Sequence, residues 1–287
     1  LRGDAAEHDA RFVAELAEQL GLAFARVDLD SGAAQGNVEA WARQERYRAL
    51  AKMAHEYGAG YIVTAHHADD QLETLLLRML RGTGVRGLRG IAWERSFRFQ
   101  VSGFKLETAA EPSAPGSLKL IRPMLSVTRA EVLAFLREIG QRRCEDHTNV
   151  DVTRDRARLR TDVLPVLREV RGDAARKAVR LADHAREADR LVRREVARAY
   201  AQLVREEAGA LVLERAGART LPRVVLTGLL RRLLCEAGVP RGRVTRRVVV
   251  PVVRAVRDRR GGERRFDLAG GAQVTIDGGR VTIDRAV

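Results

Sequence analysis

The sequence predicts an α/β protein in two parts, a first half in which strands alternate with helices and a basic, mainly helical second half ending in a β-hairpin. Three observations lead there. Strand and helix periodicities alternate between residues 5 and 80, at the spacing of crossover units that build a parallel sheet. The net charge of +14 lies wholly in 141–287, because 1–140 balance to zero. The final stretch alternates apolar and polar residues around Asp277-Gly278-Gly279, a hairpin signal.

Residues 5–20 place Phe12, Val13, Leu16 and Leu20 on one helical face, and Gly21 ends that helix. LAFARVDLD (22–30) alternates as a strand does, and a second helix is expected from about Val38 to Tyr57. GAGYIVTAHH (58–67) holds a short β-branched strand, followed by a helix from about Asp70 to Leu80. Between Phe97 and Leu120 the chain reads as irregular, until LKLIRPML forms a strand closed by Pro123. Thr128, with Glu131 three residues on, opens a helix through a capping box and carries it to about Ile139. Residues 173–207, without Pro or Gly, predict one long helix, and 221–238 and 242–258 two more.

Composition narrows the functional classes. No segment approaches the ~18 continuous apolar residues of a membrane helix, and the charged start LRGDAAEHDARF is no secretory leader. A cytoplasmic protein is expected. Cys144 and Cys235, the only cysteines, make neither a disulfide framework nor a C-x-x-C metal or redox site. Only Lys52, Lys105, Lys119 and Lys177 among the basic residues are lysines. Codon bias can favour Arg over Lys, but it does not create a surplus of bases over acids. The basic second half therefore points to a polyanion, and to nucleic acid before membrane.

The densest group of chemistry-bearing residues is His66-His67-Ala68-Asp69-Asp70-Gln71-Leu72-Glu73-Thr74. It falls where a strand gives way to a helix, the place where α/β sheets bind ligands. Leu72, Leu75, Leu76, Met79 and Leu80 form that helix's apolar stripe, and Asp69, Asp70 and Glu73 lie off it. One reading is structural, with Asp70 as N-cap and Glu73 as its capping-box partner. It leaves two adjacent histidines and a second Asp unexplained. Clustered carboxylates here could hold Mg²⁺, orient an amine or take a proton. Zinc fits poorly, since adjacent histidines diverge and no third soft ligand is near. Arg43 and Arg46, three apart on a helix, and Arg154, Arg156, Arg158 and Arg160, at alternate positions, read by themselves as solvated faces or generic phosphate contacts. RGTGVRGLRG (81–90) follows a helix and reads as a C-cap and turn, not as a phosphate cradle.

HHADDQLETLLLRMLRGTGVRGLRGI closely resembles the signature of the tRNA(Ile)-lysidine synthetase family, within the PP-loop ATP pyrophosphatases. LRGDAAEHDARFV, EAWARQERY, LIRPMLSVTRAEVLAFL and DHTNVDVTRDRARLRTDVLPVL resemble further family segments in the same order, and FDLAGGAQV does so more weakly. The resemblance implies a PP-loop ATPase-like domain over 1–160, and a linker helix with a basic tRNA-binding domain over 161–287. It implies an enzyme that uses ATP with Mg²⁺ to adenylate the wobble cytidine of tRNA(Ile), after which the amine of L-lysine displaces AMP. By the same resemblance, Asp70 and Glu73 would handle the amine and the base, with His66, His67 and Asp69 in support. Arg43, Arg46 and Arg81 would face the nucleotide, and Arg154, Arg156, Arg158 and Arg160 the tRNA. The resemblance identifies no Mg²⁺ ligand, and the oligomeric state stays open, a dimer included.

Two departures stand out. Ala157 occupies the position of an Asn in the family's R-N-R-I-R. The loop S-G-G-x-D-S, with the strand, helix and second strand around it, does not occur in 1–287. The expectation is an N-terminally incomplete parallel sheet, by itself inert toward ATP and prone to self-association. A fragment, a misplaced start and a degenerate homologue would each give this pattern. A non-catalytic RNA-binding remnant is the main rival. A different PP-loop enzyme such as a thiolase is a second, disfavoured by the missing C-x-x-C pairs.

Overall fold

A computed structural model describes residues 4–29, 38–100, 105–108, 117–144, 155–259 and 262–285. The chain divides into two compact units, Leu1–Asp183 and His184–Val287.

The first unit opens with α1 (Asp4–Gln19) and α2 (Val38–Glu56). β1 (Tyr61–Val63) leads to α3 (Ala68–Leu80) and the single turn α4 (Val85–Leu88). Then come β2 (Glu94–Gln100), β3 (Lys105–Thr108), β4 (Ser117–Ile121), a 3₁₀ turn (Pro123–Ser126) and α5 (Arg129–Glu138). The sheet order is β1-β4-β2-β3. Among the described residues only β1 and β4 pair in parallel, Tyr61 to Lys119 through Val63 to Ile121, and β2 pairs antiparallel with both β4 and β3. The parallel reading is thus right for the pair that borders the site and wrong for the rest of this sheet. Residues 97–120, expected to be irregular, contain most of β2 and all of β3 before β4 begins at Ser117. In β2 the alternating Phe97 and Phe99 carry the signal without the β-branched residues that would make it plain. Conversely, 22–29 form no strand, and Leu22, Phe24 and Val27 are exposed. Period-two patterning reports side-chain alternation and says nothing of a hydrogen-bonded neighbour.

Ile62, Phe97, Leu118 and Leu120 bury one sheet face against Ala51 and Ala54 of α2. Ala68, Leu72 and Leu75 of α3 pack on Leu164 and on Ala175, Ala178, Val179 and Ala182. The latter belong to α8 (Ala174–Leu203), the long helix within which the two units divide. Before it lie α6 (Asp155–Arg158), a π turn (Leu159–Val163) and α7 (Leu164–Val170).

In the second unit β5 (Val204–Glu207) turns directly into β6 (Ala210–Glu214). The helix predicted to reach 207 stops at Leu203. Ala208 and Gly209 both adopt positive φ, 49° and 81°, the geometry of a two-residue hairpin turn that draws the strands together. Helices α9 (Arg215–Thr220), α10 (Arg223–Glu236) and α11 (Arg246–Arg257) follow, then β7 (Arg264–Asp267), β8 (Gln273–Ile276) and β9 (Arg280–Asp284). The predicted Asp277-Gly278-Gly279 hairpin is present as β8–β9, within a five-stranded sheet of order β5-β6-β9-β8-β7. Leu226, Leu229, Leu230, Leu233 and Leu234 of α10 are fully buried against it with Val249, Val252 and Val256 of α11.

Candidate functional site

α3 begins at the carboxyl end of β1, and its N-terminus is built from the histidine–carboxylate run. His67, not Asp70, is the N-cap. The Asp70 amide donates to His67 Nδ1 at 3.4 Å and the His67 amide to Asp70 Oδ2 at 3.0 Å, a reciprocal capping box. The Asp70–Glu73 capping box that the sequence offered as a structural reading is not formed; the box uses His67 and Asp70 instead. Glu73 takes no part in it.

Glu73 is buried, with 2% of its surface exposed. Its carboxylate accepts from Arg156 Nε at 3.0 Å and Arg160 Nε at 2.6 Å. Asp69, one turn earlier on the same face, is buried too. It accepts from Arg168 Nη2 and from the Arg129 amide at the start of α5, each at 2.7 Å. Burial works against the charge on Asp69, but the Arg129 amide and the Arg168 guanidinium outweigh it and hold the carboxyl below its usual range. Asp70 Oδ1 lies 3.5 Å from Arg160 Nη2. Asp69, Glu73, Arg129, Arg160 and Arg168, with His67 and Leu164, line a cavity of about 310 Å³.

A regular spacing brings them together. Asp69 and Glu73 are four apart on α3, and Arg156, Arg160, Leu164 and Arg168 recur every four residues opposite. In a pure α-helix such a series drifts by about 40° per step. The wider π turn at Leu159–Val163 counters that drift and keeps the series on one face. Arg158 falls off this face, 70% exposed and 3.8 Å from Asp162. Arg154 lies outside the described residues.

His66 sits beyond β1, where its Nδ1 shares a 2.9 Å hydrogen bond with Thr64 Oγ1. Burial, then the charge of Arg122, lowers its pKa, with Arg43 and Arg156 adding to the effect and Asp70 opposing it. Arg43 and Arg46 are exposed on α2, with the Arg43 guanidinium over the Tyr47 ring at 5.4 Å. Arg81 caps the C-terminus of α3 and lies 3.6 Å from Asp155. The glycine-rich stretch after it is held to α3. Gln71 pairs both amide atoms with the Ile91 backbone, at 2.6 and 3.1 Å. Arg78 donates to the carbonyls of Gly87 and Gly90.

The reading from sequence missed Arg122, Arg129 and Arg168. The four-residue period through Arg168 was visible, whereas Arg122 and Arg129 depend on which chain ends meet in space. Among the described residues no three His, Cys, Asp or Glu side chains converge to hold a metal ion, and the buried carboxylates are already engaged by arginines. No described helix is long and apolar enough to cross a membrane.

Comparison with known proteins places this arrangement in a family. A family model described as a PP-loop domain matches residues 1–167. The chain is 38% identical over 213 residues to a tRNA(Ile)-lysidine synthase of Symbiobacterium thermophilum, covering 73% of this chain and 40% of that protein. It is 35% identical over 248 residues to the one of Novosphingobium aromaticivorans, covering 84% of this chain and 68% of that protein. With the one of Deinococcus deserti it shares 43% over 171 residues, 58% of this chain and 27% of that protein. The chain thus spans well under half of two of these relatives and about two thirds of the other. The PP-loop match over more than half of the sequence and the Novosphingobium relative, with the α3 signature at the mouth of the sheet, establish that the chain belongs to the tRNA(Ile)-lysidine synthase family of PP-loop proteins.

Proposed function

We propose that this chain carries the lysine-transfer centre of an ATP-dependent ligase that forms lysidine at the wobble cytidine of tRNA(Ile). The observation that carries this reading is the pair of arginine-anchored carboxylates, Asp69 and Glu73, flanking Asp70 at the N-terminus of α3. In the first step the cytidine C2 oxygen attacks the α-phosphorus of ATP and pyrophosphate leaves. In the second the lysine amine attacks C2, the C2–O bond breaks and AMP departs. The amine must shed a proton as it attacks; Asp70 is the carboxylate offered to take it, and Glu73, held by Arg156 and Arg160, helps to orient the amine and the base. Asp69, His66 and His67 position them. Arg43, Arg46 and Arg81 face the nucleotide. Mg²⁺ would travel with the ATP phosphates, which suits a site whose own carboxylates are committed to arginines.

Arg156 and Arg160 set Glu73, while Arg158, with Arg154, is offered to tRNA phosphates. The second unit supports the same partner. Residues 240–257 hold six arginines and no acid. Arg246, Arg247, Arg254 and Arg257 line the exposed side of α11, and Val249, Val252, Val253 and Val256 are buried. Phosphate contact is the ordinary use of such a face.

The S-G-G-x-D-S motif does not occur in the 287 residues, so the test places a family strand–loop–helix–strand unit ahead of them. ATP, labelled lysine and tRNA(Ile) are supplied, and lysine incorporation and AMP release are measured. Asp70→Asn and Glu73→Gln should each abolish incorporation with adenylation retained. Tight tRNA binding without any AMP release from the unsubstituted protein would instead favour a non-catalytic RNA-binding role.

A further inference from the structure

Among the described residues, Arg122 is the one buried cation of the first unit. It follows β4 directly, and only 6% of its surface is exposed. Its Nη1 donates to the Ala92 carbonyl at 2.7 Å. Its Nε, fully buried, finds no acceptor among the described residues. A buried guanidinium is ordinarily matched by a carboxylate or by a full set of carbonyls. Arg215 in the second unit shows the usual solution, donating to the carbonyls of Val256, Ala255, Asp258 and Asp277.

The place of the unmet donor gives it meaning. β4 and β1 are the parallel pair, and the Thr64 amide donates to the Ile121 carbonyl at 3.1 Å. Arg122 and the Thr64–His66 segment therefore emerge side by side at the carboxyl ends of adjacent parallel strands, where such sheets bind ligands. The charges felt by His66 come from Arg122, from Arg43 on α2 and from Arg156 on α6. Each of the three lowers the pKa of His66, and Asp70 opposes them. Glu73 already occupies Arg156.

We propose that Arg122, with His66 beside it at the carboxyl ends of β4 and β1, forms a subsite for a phosphoryl group, the Arg122 fork meeting two of its oxygens. The planar fork suits bidentate contact with phosphate. A neutral His66 adds a single donor that can stay in place when charge builds on the group. This deepens the reading above, since both steps of that reaction carry a phosphoryl group beside the base, but the subsite can be tested without turnover.

The 287-residue chain is labelled with ¹⁵N-arginine, and the Arg122 Nε–H resonance is assigned by its loss in Arg122→Lys. AMP, pyrophosphate and adenosine are added in turn, and their Kd values are measured for the unsubstituted chain and for Arg122→Gln. The expected result is a large shift of that resonance with AMP or pyrophosphate and none with adenosine. The same phosphoryl ligand should bind at least tenfold more weakly to Arg122→Gln, and adenosine equally well. A response to AMP assigns the α-phosphoryl group, and one to pyrophosphate alone assigns the leaving group. An unmoved resonance with both, or an equal response to adenosine, overturns the proposal. Should Arg122→Gln fail to fold, the resonance in the unsubstituted chain still decides. Lysine transfer that survives in a folded Arg122→Gln with unchanged AMP and pyrophosphate affinity would sink the subsite and leave the ligase reading intact.

Discussion

Replacing Asp69 by Ala should cost the first unit far more than an ordinary surface acid would. The carboxylate accepts two 2.7 Å bonds from groups distant in sequence, the Arg129 amide and Arg168 Nη2. The first satisfies a backbone donor that the start of α5 cannot satisfy itself. The second ties α7 to α3. A hydrogen bond to a charged group contributes about 1.5–3 kcal/mol. The Arg168 bond belongs at the low end, because that side chain is 43% exposed and its charge is screened. Losing both, and stranding the Arg129 amide, gives about 3–5 kcal/mol. For a unit of this size that is a fall in Tm of roughly 6–20 °C. The pH profile carries the same signature. The carboxyl is held below its usual value, so its contribution is complete above about pH 4 and lost as pH falls through the native pKa. Differential scanning calorimetry of Asp69→Ala, Arg168→Gln and the double variant measures the coupling directly. A coupling below about 0.5 kcal/mol, or an Asp69→Ala protein that melts with the parent, would refute this account of how the site is held.

Three further outcomes follow from local geometry. Gly90→Ala should destabilise the unit by about 1–3 kcal/mol, because φ is +57° there and the new Cβ would stand 2.2 Å from Gln71 Oε1; thermal melts and weakened protection of the Ile91 amide from exchange would show it. His66→Gln should flatten the pH dependence of stability below the usual histidine value of 6.5. Burial and Arg122 keep native His66 neutral, so the unfolded chain takes up the proton first and stability is lost as pH falls below that value; urea titrations between pH 5 and 7.5 check the slope. Changing Arg246, Arg247, Arg254 and Arg257 together to Gln should leave folding intact and make tRNA binding less sensitive to salt. The log–log slope should fall by up to ~0.9 for each phosphate that is no longer neutralised, as read by filter binding at several salt concentrations; an unaltered slope would remove α11 from the interface.

Much of the fold was legible where a local cue coincided with a tertiary need. Thr128 and Glu131 form the capping box their spacing announces, and Asp277 accepts the Gly279 and Arg280 amides at the predicted hairpin. The failures share a cause. Patterning alone assigns 22–30 to a strand and 204–207 to a helix, yet strand formation depends on a neighbour. Val204–Glu207 has one through the Ala208-Gly209 turn, and 22–29 has none among the described residues. β2 and β3 escape the sequence for the converse reason, since each is completed by pairing that the linear chain does not display.

The site shows the same division more sharply. Residue types and spacing locate the α3 cluster, and the four-residue series from Arg156 to Arg168 is there to be counted. Treating 154–160 as alternating arginines instead spreads them around a helix, because the π turn that restores their alignment has no plain sequence signature. The charge surplus likewise has two meanings within one number. In 155–168, arginines neutralise Asp69 and Glu73 and fix the geometry of α3. In the second unit, 240–257 has no acid to neutralise, so its arginines remain available to a polyanion. A basic count alone cannot separate cations that build a site from cations that meet a partner. The position of the carboxylates can, and in the first unit they lie inside.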